Sequence, residues 1–322
     1  MNKNILNDFS LVNVAAQTSI PKDDFHPEII VGLLVGKGTS LDFSAADLAS
    51  QDAFNTKLKA GMLADADNRL YPIFAFTDFT NNSEKPVIAT FGYGGKVFVR
   101  DGYPAFNAKM FRGSFQLLAQ FRKLNNDTSC KVAFVDQRGN VMLTSGDGVT
   151  ASGFSIMTLN FNTFTYKSGS EPDSFLCDIT LASPQEYNDN QYFVGTGTNL
   201  VQTLMGLLPI KIQLDATSTK SALKVILSTS ATNLEPIYGT ELSGTGKNLW
   251  KITKVSDGTD APITSVAKDD TNDWFTVTPT SALSINTDYE LKLVAPATLE
   301  AAGVGSDEQG YESIPLIISF AS

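Results

Sequence analysis

The chain has 322 residues, enough for two domains that each bury their own core. Apolar residues make up 42% and charged residues 18%, which excludes a disordered chain, since disorder requires few hydrophobic residues and a high net charge. The net charge of −10 argues against a protein that holds DNA through cationic phosphate contacts.

The cysteines and the N-terminal residues bear on the compartment. Cys130 and Cys177 are too few for a disulfide framework, and we expect both to be buried free thiols. Residues 1–10 lack the basic stretch and apolar core of a signal peptide. The most apolar early run, residues 29–35, is too short to span a bilayer. We therefore expect a soluble protein made in a reducing compartment, without membrane insertion.

The first predicted elements are a strand and a helix. Residues 29–35 read as a strand that ends at the Gly36-Lys37-Gly38 turn. Ser44 followed by Asp47 has the spacing of a capping box and predicts a helix start. Apolar residues then recur near helical spacing, at Leu48, Phe54, Leu58 and Met62.

Strand patterns dominate the rest of the N-terminal half. Residues 87–91 and 97–100 read as strands joined by the glycine-rich turn 92–95. A broad apolar stripe predicts a second helix over residues 106–123. Further strands are predicted at residues 131–136, 141–144, 154–166 and 174–181, the first two joined by a hairpin turn at residues 137–140. We therefore predict an α+β domain over residues 1–205.

The pattern changes near residue 206, where helical periodicity nearly vanishes and strands arrive at the spacing of a β-sandwich. The seven predicted strands cover residues 209–214, 222–229, 249–255, 263–267, 274–278, 289–294 and 314–320. The prediction is a mainly β protein with some α, divided into domains at residues 1–205 and 206–322.

The sequence offers little for catalysis. His26 is the only histidine, it precedes Pro27, and no nucleophile-elbow motif accompanies it. His26, Cys130 and Cys177 are too far apart in the sequence to give the ligand spacing of a zinc site. The string around Lys37 fails the phosphate-loop pattern, and the turn 92–95 lacks the helix of a dinucleotide fingerprint. We predict no catalytic, cofactor or metal residues, and no enzyme activity.

Two features keep binding functions open. The acidic run Asp269–Asp273 could hold calcium weakly, although a solvated turn between strands is the favoured interpretation. Trp250 and Trp274 could bind a sugar, although both are expected to fill the core. Paired carboxylates for glycoside hydrolysis are set by space rather than by sequence, and nothing here favours them.

The segment Leu283–Leu293 resembles the strand entry of fibronectin-III and bacterial immunoglobulin-like domains. Leu283, Thr287 and Tyr289 match the residues that precede an alternating strand in those families. The resemblance implies an Ig-like sandwich in which the Tyr289 hydroxyl bonds back to the corner backbone, a structural role.

The whole chain resembles virion structural proteins of tailed bacteriophages, especially those of Bacteroidetes-infecting and crAss-like phages. The resemblance rests on Ala53-Phe54-Asn55, Leu58, Arg69, Tyr71-Pro72 and Gly92–Gly95, and on the order of the two domains. It implies a tail-tube-like β-sandwich with flanking helices, followed by an outward Ig-like domain.

The function implied by that resemblance is a non-enzymatic tail subunit located in the virion. It would form homo-oligomeric rings with copies of itself, contact neighbouring virion proteins, and let genomic DNA pass without sequence-specific binding. The alternatives are an auxiliary protein of the capsid or head surface, and a glycan-binding protein that could recognise host-surface glycans through its Ig-like domain.

Overall fold

The computed structural model describes residues 29–74, 76–111, 115–169, 172–229, 232–305 and 309–321. Chain contacts divide it into two compact units, Met1–Leu204 and Met205–Ser322. The described residues are mainly β with few helices, which confirms the predicted fold class. His26 and the polar N-terminal residues lie outside the described residues.

The N-terminal unit contains four helices and thirteen strands within its described residues. Their bounds are β1 Ile30–Gly36, β2 Asp42–Phe43, α1 Gln51–Met62, β3 Leu70–Phe74, β4 Phe76–Asn81, β5 Val87–Thr90, β6 Lys96–Arg100, β7 Ala105–Phe111, α2 Phe115–Phe121, β8 Lys131–Asp136, β9 Val141–Thr144, β10 Ala151–Ser152, β11 Phe154–Thr165, β12 Ser174–Leu181, α3 Pro184–Asn188, β13 Gln191–Val194 and α4 Leu200–Thr203. Short 3-10 turns lie at Ala66–Asn68 and Arg122–Leu124.

Eleven of these strands form one sheet. Its main path is β2-β10-β9-β8-β11-β12-β7-β4, while β1 pairs with β8 and β3, and β13 pairs with β9. The long strand β11 joins the two halves, because its first residues pair with β8 and its remainder pairs with β12. Both halves contribute side chains to one core, with Phe134 from β8, Phe154 from β11 and Phe175 from β12 fully buried.

Strand alternation explains much of this core. On β12, Phe175, Cys177 and Ile179 are buried, while the residues between them point away. Burial raises the pKa of the Cys177 thiol and raises that of Cys130 to about 11, so both are inert at neutral pH. Both cysteines are free and buried, as predicted.

Two helix predictions need correction. The helix predicted from Ser44 begins at Gln51 with Ser50 as its cap, whose hydroxyl accepts from the Ala53 amide at 3.1 Å. Ser44 and Asp47 do bond reciprocally, but they close a separate turn, in which the Ser44 hydroxyl donates to the Asp47 carboxylate at 2.7 Å. Phe54, Leu58 and Met62 form the buried face of α1 as expected.

The second helix, predicted over residues 106–123, is wrong in its first third. Residues Ala105–Phe111 form β7, between β4 and β12, and the helix α2 covers only Phe115–Phe121. Phe106, Ala108 and Met110 alternate inward with period two. Residues 105–111 form a strand rather than a helix because they hydrogen-bond to β4 and β12. A short apolar run in the sequence does not distinguish the two structures.

The C-terminal unit contains nine strands and two helices within its described residues. Their bounds are β14 Leu207–Leu214, β15 Leu223–Thr229, β16 Thr232–Asn233, α5 Glu235–Leu242, β17 Trp250–Lys254, β18 Ile263–Asp269, β19 Trp274–Pro279, β20 Tyr289–Leu293, α6 Pro296–Ala301, β21 Gly310–Ile314 and β22 Leu316–Ile318, with a 3-10 segment at Gly244–Leu249.

These strands form two sheets over one core. One sheet has the order β18-β19-β15-β14-β21, with β16 paired to β15, and the other has the order β17-β20-β22. The core includes Trp250 and Phe275, whose ring centroids lie 5.4 Å apart. Strands are present at all seven predicted positions; the last, predicted over residues 314–320, covers only Leu316–Ile318 as β22, and β21 before it was not predicted. The helices α5 and α6 were not predicted from the sequence. Both are short, and the strand pattern of the surrounding residues gives no sign of them.

Candidate assembly surface

Strands β5 and β6 form a two-stranded sheet that pairs with none of the other described strands. We call this hairpin, Val87–Arg100, the arm. Every residue from Phe91 to Arg100 is exposed. A two-stranded hairpin is at best marginally stable alone in water, so its lack of a covering layer requires explanation.

Apolar side chains occupy both faces of the arm. Ile88 lies opposite Phe98 across the two strands, and these side chains are 54% and 57% exposed. Ala89 lies opposite Val97 on the other face, and Val97 is 50% exposed; Val99, at an irregularity in the pairing, is also more than half exposed. A hairpin that rested on its own domain could hide one of these faces but not both.

The tip of the arm is a tight turn with two aromatic side chains. The Phe91 amide donates to the Gly95 carbonyl at 2.8 Å, and Gly94 has a φ of +79°, which a glycine adopts without strain. Phe91 is 57% exposed and Tyr93 is fully exposed. The turn predicted at residues 92–95 is therefore present, and it presents aromatic rings to solvent.

Charged groups fix the base of the arm. The Arg100 guanidinium donates to both carboxylate oxygens of Glu84, at 3.0 and 3.1 Å, and lies 5.0 Å from the ring centre of Tyr103. These hydrogen bonds hold the pKa of Glu84 below its usual value. A Cβ at Gly102 would lie 1.9 Å from the Glu84 carbonyl oxygen, so only glycine allows this close crossing. We call the two-fold contact between Arg100 and Glu84 the bracket.

The arm differs in charge from the rest of the chain. It contains Lys96 and Arg100 but no aspartate or glutamate, which gives it a charge of +2. Because the whole chain carries −10, the remainder carries −12. Because Arg100 is paired with Glu84 at the base, the other positive charge of the arm is Lys96, next to the tip turn, on a chain that is acidic elsewhere.

The other residues weighed from the sequence do not gather into a site. Gly38 closes the turn after β1 with a φ of +55°, and Lys37 forms an ion pair with Asp127 at 2.9 Å. In the acidic run, Asp269 holds the turn between β18 and β19, because its carboxylate accepts from the amides of Thr271 and Asn272. No group of three or more His, Cys, Asp or Glu residues that could hold a metal ion is found in the described parts of the chain.

The two tryptophans do not form a sugar platform. Trp250 is buried, and its indole nitrogen donates to the Leu242 carbonyl at 2.8 Å. Trp274 is half-buried, and the Lys224 ammonium lies 4.7 Å from its ring centre. Trp250 fills the core as predicted, but Trp274 does not, because it is only half-buried and lies outside the core cluster; a cation covers the ring that a sugar would need.

Tyr289 occupies the corner that the sequence predicts. Its hydroxyl accepts from the Ser284 amide at 3.2 Å, and the residue is 7% exposed at the start of β20. Leu283 is buried beside it. The corner therefore ties the entry of β20 to the preceding loop, which is a structural role.

Comparisons with known proteins found a weak structural similarity and no similar curated sequence. No protein-family model matches the sequence, and no curated protein matches it. This chain is similar to the cryo-EM structure of the anti-feeding prophage cap (AFP tube terminating cap). The alignment covers 56% of this chain and 99% of the cap chain, with 11% sequence identity and a TM-score of 0.23. So loose a superposition carries no argument about fold or function. None of the helices in the described residues is long and apolar enough to cross a membrane.

Proposed function

We propose that this protein is a non-enzymatic structural subunit that assembles with copies of itself through the arm. We further propose that the assembly belongs to the tail of a tailed-phage virion, as a tube or ring around the DNA channel, with the C-terminal unit as an outward Ig-like module. The observation that carries the proposal is the exposed arm, which is apolar on both faces.

The arm has the properties of an interface. Contiguous exposed apolar surface on a protein commonly marks a contact with another molecule. Strand edges without partners have the same tendency, since their amides and carbonyls remain free to pair. An arm inserted between elements of another molecule would cover both of its faces, which a single docking surface on its own domain could not do.

Charge favours a second copy as the partner. The arm carries a formal charge of +2, of which Arg100 is paired with Glu84, and the remainder of the chain carries −12, so Lys96 of one copy is attracted to the acidic body of another. The arm and the surface that receives it are different parts of the chain. Such a head-to-tail contact builds a closed ring when its rotation closes, and a helical tube when it does not.

The virion tail is the setting that the sequence resemblance favours. An acidic subunit weakens non-specific attraction to DNA phosphates, which suits a channel through which DNA passes. Neighbouring virion proteins would be the other partners.

The C-terminal unit supports the Ig-like part of the proposal by its strand order. In constant-type immunoglobulin domains, strands A, B, E and D form one sheet and C, F and G form the other. Here β14, β15, β19 and β18 take the first arrangement, and β17, β20 and β22 take the second. The Tyr289 hydroxyl bond adds the tyrosine corner of such domains.

The test is assembly of the full chain against an arm variant. Wild type and Ile88→Ser/Phe98→Ser are compared by sedimentation velocity over a concentration series and by negative-stain microscopy. Each removed side chain has about half its surface left to bury, so the pair contributes about 2–3 kcal/mol per contact. Association should therefore weaken about 30–150-fold, with rings or tubes in the wild type only.

The matched control removes exposed apolar side chains elsewhere. Val255→Ser/Ile285→Ser lies in the C-terminal unit and should assemble like the wild type. A wild type that stays monomeric at every concentration, or an arm variant that assembles normally, would refute the proposal. A C-terminal label found on the head of intact particles would replace the tail position with a head-surface role.

A further inference from the structure

Glu235, the first residue of α5, has a buried carboxyl group that lacks a full set of partners. The side chain is 3% exposed, and its Oε1 atom has no hydrogen-bond partner and no contact with solvent. Its backbone amide is satisfied by the Asn233 side chain at 3.0 Å. A buried ionised carboxylate is costly unless it is paired, so this side chain requires a counter-charge or a proton.

The surroundings of Glu235 supply more negative than positive charge. The charged groups on its own helix and on the elements packed against it are Glu241 of α5, Lys247 of the 3-10 segment, Lys268 and Asp269 of β18, and Asp270 and Asp273 of the turn into β19. No arginine lies beyond Arg138 in the sequence. The groups that act on Glu235 most strongly are Asp270, Lys268 and Asp273.

Both nearby ammonium groups, those of Lys268 and Lys247, already have other partners. Lys268 forms an ion pair with Asp270 at 2.8 Å. Lys247 instead donates to the Thr264 carbonyl at 3.1 Å, and Asp269 is held by the amides of the turn. On α5, Glu241 also has a buried carboxylate oxygen without a partner. Cations therefore do not balance the carboxylates at this joint.

The position of the Glu235 carboxyl is fixed by a glycine one turn later in α5. A Cβ at Gly239 would lie 2.9 Å from Glu235 Oε1 and 3.2 Å from Cδ of Lys268. The carboxyl group thus lies in the space that the missing side chain leaves, between the helix and the lysine methylenes.

We propose that Glu235 binds its proton more tightly in the folded C-terminal unit than in the unfolded chain, and that the protonated carboxyl group hydrogen-bonds to Asp270 and so fastens α5 to the turn between β18 and β19. Ionisation of Glu235 then places two carboxylates against each other and loosens the helix. This gives the C-terminal unit a joint that is closed at low pH and opens as the pH rises.

The sign of the pH dependence follows from the same contacts. Burial, and then the charge of Asp270, raise the pKa of Glu235 above its usual value. The folded unit therefore binds the proton more tightly than the unfolded chain does. Its contribution to stability is complete below the ordinary glutamate pKa and is lost as the pH rises toward the raised pKa.

Tryptophan fluorescence of the full chain isolates this unit, because Trp250 and Trp274 are the only tryptophans and both lie within it. Urea unfolding is followed from pH 5 to pH 9 for the wild type, Glu235→Gln and the control Glu290→Gln. Glu290 contacts Lys292 at the surface, so the control makes the same charge change away from the joint. The wild-type midpoint should fall with pH, and the Glu235→Gln midpoint should stay nearly constant and exceed it at pH 9.

Asp270→Asn provides a second variant, because the Asp270 side chain is 72% exposed and its replacement leaves the fold intact. Removing this like charge lowers the pKa of Glu235, so the fall of the midpoint should move to lower pH. Parallel pH profiles for the wild type and Glu235→Gln would overturn the proposal. So would stabilisation of the wild type by millimolar Ca²⁺ that Glu235→Gln abolishes, since a cation and not a proton would then balance the carboxylates.

Discussion

Replacing Tyr289 by Phe tests the corner that ties the C-terminal unit together. The substitution removes one hydroxyl oxygen and keeps the ring, so the core around this 7% exposed side chain is not emptied. What is lost is the hydrogen bond that the Ser284 amide donates to the hydroxyl at 3.2 Å. Ser284 is exposed, so water can take over part of the role of the lost acceptor.

The magnitude follows from that single bond. A net contribution of about 1 kcal/mol is typical for a hydrogen bond between neutral groups. For a domain of this size, the melting temperature should therefore fall by about 3–6 °C. The urea midpoint should fall with no change in the slope of the transition, because the surface exposed on unfolding is the same.

Tryptophan fluorescence again reports the unit selectively, and Tyr93→Phe is the matched control. Tyr93 is fully exposed at the tip of the arm, so the same loss of a hydroxyl there should leave the transition unchanged. A Tyr289→Phe midpoint equal to that of the wild type would refute the reasoning, since the hydroxyl bond would then contribute nothing. A loss above about 3 kcal/mol would refute it equally, because one such bond cannot supply that much.

Two further predictions concern the N-terminal unit. Asp127 accepts from Ser129 and pairs with Lys37, which together lower its pKa from 3.8 to about 2. The stability from these contacts is complete above pH 4 and is lost as the pH falls toward 2, so Asp127→Asn should cost about 1–2 kcal/mol at pH 6 and little at pH 2. Acid unfolding followed by circular dichroism measures this, and equal losses at both pH values would contradict it. Arg100→Lys should loosen the bracket, since lysine cannot make the two-fold contact with Glu84. Amide exchange in residues 87–99 should then accelerate while the unfolding midpoint stays unchanged, and unchanged exchange would show that the bracket does not hold the arm.

Much of the strand content follows from local patterns. Strands β8, β9 and β12 begin and end where the sequence predicts, because short apolar runs in β8 and β9, and alternating apolar residues in β12, end at turn-forming residues. The turn at residues 92–95 was equally readable, since a backbone at positive φ favours glycine. The corner at Tyr289 was expected from the resemblance of Leu283–Leu293 to the strand entry of Ig-like domains, and the hydroxyl bond is present.

Other features were not readable from local pattern. The segment containing Phe106 and Met110 has apolar residues that suit either a helix or a strand, and pairing with β4 and β12 selects the strand. Both Ser44 and Ser50 could cap a helix, and the structure uses Ser50, so that α1 begins at Gln51. In this arrangement Phe54 of α1 packs against Phe43, with ring centroids 4.7 Å apart.

The candidate site shows the same division. The sequence by itself determined that residues 87–100 form two apolar strands around a glycine turn, because strand propensity and turn chemistry are local properties. It could not show that Ile88 and Phe98 remain exposed, or that Glu235 lies buried beside Asp270. Whether a side chain is exposed, and which charged groups surround a buried carboxyl group, depends on residues that are distant in the sequence. Only the tertiary structure brings those residues together.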